Sequence, residues 1–364
     1  MPARLQATYH VRADARTIAA RAQGIAVEQS VEMPLGAITD DAVLRDVVGE
    51  VQDIADLGNG VFTVRIGLAA ATIGDDAGQL LNMLFGNTSL HDDVTLHDVE
   101  LPSPLFPGPS HGEPGMRARL GAATRALTCS ALKPQGAPVA LLAHLAAQFT
   151  LGGIDWIKDD HGMADQPYGR FADRVPACAD AVHEASRRTG HPTRYAPSLS
   201  GTLETMRRQL ALARAAGLDS AVIAPMVAGF ATMQALVREN PDFVFLAHPS
   251  MAGAARIAPP LLIGRLFRLV GADAVVFPSH GGRFGYTPQT CADLAARARQ
   301  DWHGLAPAIP VPAGGMTLAR VGEILDFYGP HTMVLIGGSL LEARERLAAE
   351  TAAFTRAVAT NSPR

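Results

Sequence analysis

From Ala126 to the end of the chain, short apolar runs and amphipathic segments alternate eight times, and few folds accept that beat. The apolar runs are 126–132 (ALTCSAL), 154–158 (IDWIK), 193–199 (TRYAPSL), 220–226 (SAVIAPM), 243–248 (FVFLAH), 274–279 (AVVFPS), 308–312 (AIPVP) and 332–336 (TMVLI). Each precedes a segment of helical period: 138–150, 171–188, 202–216, 230–239, 259–270, 288–300, 317–328 and 340–358. Strand and helix repeated eight times predict a C-terminal (β/α)₈ TIM barrel over 117–364. The competing reading is an open doubly wound sheet, but its usual first turn is G-x-G-x-x-G, and no such turn follows the first run here.

The first part of the chain keeps a different order. Residues 5–12 (LQATYHVR) alternate as a strand, and 14–29 carry helical spacing behind Asp14. Strands over 48–56 and 61–68 flank the Gly58-Asn59-Gly60 turn, a helix covers 75–85, and a last strand runs 93–101. Strand, helix, two strands, helix, strand is the split βαβ of a ferredoxin-like α+β domain, placed at 1–116. Residues 102–116 (PSPLFPGPSHGEPGM) are too rich in proline and glycine for regular structure and form the linker.

A net charge of -4 excludes nucleic acid as the main partner, because phosphate backbones demand a concentrated basic face. The N-terminus has no apolar signal core, and no run reaches the roughly 18 apolar residues that span a bilayer. A soluble cytoplasmic protein with a small-molecule substrate is expected. Cys129, Cys178 and Cys291 are too few and too scattered for a disulfide framework or a cysteine metal site. Cys129 reads as core packing ahead of nucleophile.

Residues just after barrel strands share one mouth, so they nominate the site. After the second strand come Lys158, Asp160 and His161, able to converge on a divalent ion if the lysine is neutral or carries an anionic group; a salt-bridged strand end is the plain alternative. Lys133 follows the first strand as proton shuttle, phosphate anchor or solvated charge. His248 ends the fifth strand and His280 follows the sixth, each a catalytic or structural imidazole. Gly314-Gly315 and Gly337-Gly338 follow the seventh and eighth, where paired glycines let backbone N–H groups approach a phosphate or serve only tight turns. Arg283 either closes over that phosphate or is loop surface.

With these positions assembled, the chain resembles the RuBisCO large-chain family, and more closely the RuBisCO-like proteins, over nearly its whole length. GGIDWIKDDHGMADQP is similar to the family's GGxDxxKDDE segment, PGPSHG to its GPPHG, and Lys133-Pro134, Gly86-Asn87 and the two glycine pairs match as well. The resemblance implies a metal-stabilised enolate of a phosphorylated ketose. Lys158 would take up carbon dioxide as a carbamate and, with Asp160 and His161, hold one Mg²⁺. Lys133 and His248 would move protons or hold substrate oxygens, and Gly314, Gly315, Gly337 and Gly338 would cradle phosphate. It also implies a homodimer in which the small domain of one subunit, through Glu28 and Asn87, completes the barrel mouth of the other.

Departures from the family pattern argue against carboxylation. His161 stands where the carboxylases have a glutamate ligand, Gln135 where they have the second lysine of KPK, and Pro249 where they have a phosphate-binding arginine. The loop after the sixth strand offers Arg283 and no lysine. Losing cationic contacts suits one phosphate, not two. Asn87 lies near where the methionine-salvage enolases appear to carry a base lysine, which disfavours that branch. What the resemblance then implies is an isomerase of the 5-methylthioribulose-1-phosphate type. The alternatives are a decarboxylase or hydrolase of a 3-oxo acid-sugar phosphate such as 3-oxo-isoapionate 4-phosphate, and a non-catalytic barrel that binds a phosphometabolite.

Overall fold

The computed structural model describes residues 3–103, 105–122 and 124–362. The chain divides into two compact units, Met1–Phe106 with Met251–Leu262, and Pro107–Ser250 with Ile263–Arg364.

In the first unit, β1 (Arg4–Arg12) lies at the middle of an antiparallel sheet beside β3 (Val61–Ala69) and β4 (Val94–Glu100), with β2 (Glu50–Gly58) outside β3. Its alternation sends Leu5, Ala7, Tyr9 and Val11 into the core, all fully buried. Helices α1 (Ile18–Glu28) and α3 (Ala77–Phe85) contribute buried faces, and the Tyr9 hydroxyl donates to the Leu84 carbonyl at 2.6 Å. Asp76 caps α3 by accepting from Gly78 and Gln79. Asp14 instead accepts from the Arg16 N–H, closing a turn, so α1 begins later than its spacing predicts. A short helix, α2 (Asp41–Asp46), has too few residues to show a period. The free edge of β4 is occupied by a distant segment: Leu96 bridges Ile257, donating to the Arg256 carbonyl and accepting from Ala258.

The second unit opens with α4 (Gly112–Ala118), which begins inside the stretch 102–116 expected to have no regular structure. Pro114 is tolerated there because it sits in the first turn, where N–H groups have no helical acceptor. The buried Asp273 carboxylate accepts from the His111 and Gly112 N–H groups and fixes that helix start.

Eight strands follow: β5 (Leu127–Leu132), β6 (Trp156–Asp159), β7 (Arg194–Ala196), β8 (Ser220–Ile223), β9 (Val244–Ala247), β10 (Ala274–Pro278), β11 (Ile309–Ala313) and β12 (Met333–Leu335). They form two parallel runs, β12-β5-β6-β7 and β8-β9-β10-β11. The runs join where Val222 exchanges backbone hydrogen bonds with Pro197 and Leu199, and where the Thr332 hydroxyl reaches the Pro310 carbonyl at 2.9 Å. The sheet thus closes into the (β/α)₈ barrel. β8 is shorter than its apolar run because Pro225 starts a helix, α8 (Pro225–Ala228). The outer layer is α5 (Val139–Leu151), α6 (Phe171–Thr189), α7 (Leu203–Ala215), α9 (Phe230–Glu239), a π-helical segment Pro260–Leu266 leading into α10 (Phe267–Leu269), α11 (Pro288–Arg299), α12 (Val321–Tyr328), α13 (Gly338–Leu341) and α14 (Leu347–Asn361). No described helix is long and apolar enough to cross a membrane.

Alternate residues of every strand face the barrel axis, among them Cys129, Trp156, Ala196, Leu246, Val311 and Leu335. Met116 and Leu120, from α4 and just after it, pack into the same cluster. One end of the barrel is therefore plugged, and chemistry is left to the other, where the strands end.

Candidate active site

The inward face of β6 runs Trp156, Lys158, then Asp160 in the loop, so the core alternation itself delivers the lysine and the aspartate to the mouth. Lys158 is 2% exposed and lies in register between Ala131 on β5 and Ala196 on β7. Those small neighbours leave the amine room. Its Nζ donates to the Asp159 carbonyl at 2.9 Å, and burial pulls its pKa below the ordinary lysine value.

Asp160 is the hub of the cluster. One carboxylate oxygen receives Lys133 Nζ at 2.7 Å, and the other lies 3.3 Å from His161 Nδ1. Burial alone would push this carboxyl up. The His161 and Lys133 hydrogen bonds and the nearby Lys158 charge hold it well below the usual carboxylate range. The His161 ring in turn stacks on His248, centroids 4.3 Å apart. His248 Nδ1 accepts from the Ser250 N–H at 3.2 Å and lies 2.9 Å from the Ser250 hydroxyl, an arrangement that favours the ring proton on Nε2. Burial first, then the Lys158 and His161 charges, lowers the His248 pKa to about 2, so the ring is neutral.

The supports of this cluster carry less obvious sequence signals. Asp159, on the outward face of β6 and fully buried, meets the Arg174 guanidinium at 3.2 Å and accepts from the Tyr195 hydroxyl at 2.7 Å. Arg174 also donates to the Ala164 and Gly169 carbonyls, tying down the loop that carries Asp160 and His161. Gln135 donates to the Gly162 carbonyl at 3.0 Å and braces the same loop. An acid directly between two candidate ligands was the available hint for Asp159. Arg174 and Tyr195 are too distant in sequence to have given one.

The glycine pairs take the conformations a backbone cradle needs. Gly314 and Gly315 have φ of 85° and 90°, and a methyl group on Gly314 would meet the Phe284 ring at 3.0 Å. Gly337 lies beside Lys133, and Gly338 opens α13. Among the described residues, none of these four N–H groups donates to a carbonyl. Ser339 Oγ donates to the Met316 carbonyl, joining the two loops. Arg283 is exposed, its N–H on the Gly314 carbonyl and its guanidinium 5.4 Å from the Phe284 ring.

Lys133, Lys158, Asp160, His161 and His248 thus come together. His280 does not join them: its ring packs on Phe327 of α12, and its carbonyl accepts from Arg320. In the first unit Asn87 donates to Glu28 at 2.9 Å and also to Glu32, so Glu28 and Asn87 form one exposed polar patch.

The model of the ribulose bisphosphate carboxylase large chain catalytic domain matches residues 114–360. The chain belongs to the RuBisCO large-chain family. Among RuBisCO-like relatives, it is 59% identical over 363 residues to a 5-methylthioribulose-1-phosphate isomerase of Rhodospirillum rubrum, covering 99% of this chain and 97% of that one. It is 53% identical to ribulose bisphosphate carboxylase-like protein 1 of Rhodopseudomonas palustris, covering 99% of each. The crystal structure of a RuBisCO-like protein from Rhodopseudomonas palustris superposes with a TM-score of 0.94 at 50% identity, covering all of both chains. These relatives place the chain with the RuBisCO-like, non-carboxylating proteins.

Proposed function

We propose that this RuBisCO-like protein is an isomerase of the 5-methylthioribulose-1-phosphate type, which shifts a carbonyl along a singly phosphorylated ketose by successive enolisations. The observation that carries the reading is the neutral His248 beside the Lys133–Asp160 pair. A full-length relative at 59% identity bears that activity in its name.

Among the described residues, no three His, Cys, Asp or Glu side chains group to hold a metal. A hard cation at Asp160 and His161 therefore needs an anionic oxygen from Lys158. The residue fits that demand: it has small neighbours, and its lowered pKa favours the neutral amine that adds to carbon dioxide. Carbamylated Lys158, Asp160 and His161 would hold Mg²⁺, which when bound supplies Lewis-acid polarisation of the substrate carbonyl.

The remaining roles fall to this chain's side chains. His248, with its proton on Nε2, donates a hydrogen bond to a substrate oxygen. Its acceptor nitrogen, Nδ1, is taken by the Ser250 contact, so the ring is placed to donate and not to take up a substrate proton. Lys133, the flexible amine at the cluster, moves the proton between substrate carbons. The N–H groups of Gly314, Gly315, Gly337 and Gly338 bind the phosphate, Arg283 closes over it, and Glu28 and Asn87 of a second copy complete the mouth in a homodimer.

The test is turnover of 5-methylthioribulose 1-phosphate in deuterated solvent, followed by proton and phosphorus NMR. Deuterium entering a carbon-bound position, with a new ketose phosphate and no loss of carbon, is expected. Release of bicarbonate or inorganic phosphate would overturn the reading.

A further inference from the structure

Trp156 occupies the barrel interior one layer below Lys158, on the same inward face two residues earlier. About 6.6 Å of strand rise separates the two positions, within reach of an indole. The Trp156 side chain is fully buried, and its Nε1 has no hydrogen-bond partner among the described residues. Indole nitrogen can only donate, and a buried donor without an acceptor costs the fold stability that a phenylalanine here would not lose. No acceptor is within hydrogen-bond reach of Trp156 Nε1 among the described residues. In register beside it on β5 is Cys129, whose thiol is a weak partner, and flanking Lys158 are Ala131 and Ala196. Lys158 Nζ donates to the Asp159 carbonyl, and while protonated it is itself a pure donor.

We infer that Trp156 is a positioning residue whose indole N–H holds an oxygen of carboxylated Lys158. The inference rests on the carbamate reading of that lysine. In the modification the neutral Nζ lone pair forms a bond to the carbon of CO₂, one C=O π pair moves onto oxygen, and the nitrogen releases a proton to solvent. No oxidant or reductant takes part. The product brings two acceptor oxygens to the layer above Trp156, whose indole N–H then fixes their orientation from below.

The chain has two tryptophans, so the full-length protein labelled with nitrogen-15 tryptophan gives two indole signals, and Trp302→Phe assigns them. Trp302 lies under the Arg265 guanidinium and serves as the internal control. On addition of carbon-13 bicarbonate and Mg²⁺, a carbamate resonance should appear while the Trp156 indole proton moves downfield and that of Trp302 stays. Lys158→Ala should abolish both changes. Trp156→Phe should raise the CO₂ concentration for half-maximal carbamate about tenfold, the loss of one hydrogen bond to a charged acceptor. A carbamate resonance with the Trp156 signal unmoved, or unchanged half-saturation in Trp156→Phe, overturns the inference and leaves the Lys158 reading standing. Absence of the resonance from the wild-type protein overturns both. Because the indole shift is read with Trp156 in place, the inference remains testable if Trp156→Phe does not fold.

Discussion

The imidazoles of His161 and His248 lie face to face, 4.3 Å between centroids and 8° between planes. Two imidazolium ions in that arrangement would repel, and burial first, then Lys158, holds the His248 ring neutral. Its ring signals should therefore not titrate between pH 5 and pH 8 in a proton NMR series. His248→Ala should lower kcat by about 10²-fold with a smaller change in KM, the pattern of a hydrogen bond made mainly in the transition state. An unperturbed His248 titration near pH 6.5 would contradict the assignment.

Lys133 and Asp160 form the tightest contact of the cluster, 2.7 Å from Nζ to carboxylate. The ammonium occupies an oxygen that a cation would claim, so the two compete. Lys133→Met should leave Mg²⁺ affinity unchanged or tighter by calorimetry while reducing kcat by about 10³-fold, because a proton carrier is lost. Asp160→Asn should abolish cation binding. Equal loss of Mg²⁺ affinity in both variants would mean that Lys133 supports the site and does not compete for it.

Asp155 sits at the opposite end of β6, fully buried, between Arg125 at 2.6 Å and His191 at 3.1 Å. Burial raises its pKa, but the Arg125 and His191 hydrogen bonds and the Thr128 N–H outweigh that and bring it down to about 2. A carboxyl depressed in the folded state contributes stability above its unfolded pKa and loses it as pH falls through the folded one. The contribution of about 2 kcal/mol should be complete above roughly pH 4 and vanish toward pH 2. Asp155→Asn should destabilise by about 3 kcal/mol at neutral pH, because Arg125 loses its carboxylate partner, and should flatten urea-unfolding stability against pH across that acid window.

Periodicity carried the architecture because most barrel strands are apolar and most of the following helices amphipathic, so local pattern and tertiary burial agree; the segment after β9 is instead buried on all sides from Leu261 to Leu269. It failed where single residues decide. Pro225 truncates β8, and Pro114 is harmless only because it falls in a helix's first turn. Lys158, Asp160 and His161 were legible because strand geometry converts neighbours in sequence into neighbours at the mouth. The Arg174–Asp159–Tyr195 network was not, since its members meet only when β6, α6 and β7 pack side by side. His280 shows the limit of reading strand ends: Gly281, at φ 65°, follows it in a turn, and the imidazole packs against Phe327 of α12 instead of joining Lys158.

Glu28 and Asn87 are hydrogen-bonded to each other on the small domain, and Leu90 nearby on the same turn is 83% exposed. The proposed homodimer would set this pair at the barrel mouth of a second copy. If that copy's barrel takes the pair, Lys158→Ala and Asn87→Ala are defects on different subunits of one site. Each variant alone should be inactive or nearly so. Coexpressed, half of the dimers should be mixed, each with one intact site of two, giving about a quarter of wild-type turnover. Light scattering should give the dimer mass for every species. No recovery on coexpression, with dimers confirmed, would mean that Asn87 serves the barrel of its own chain or none.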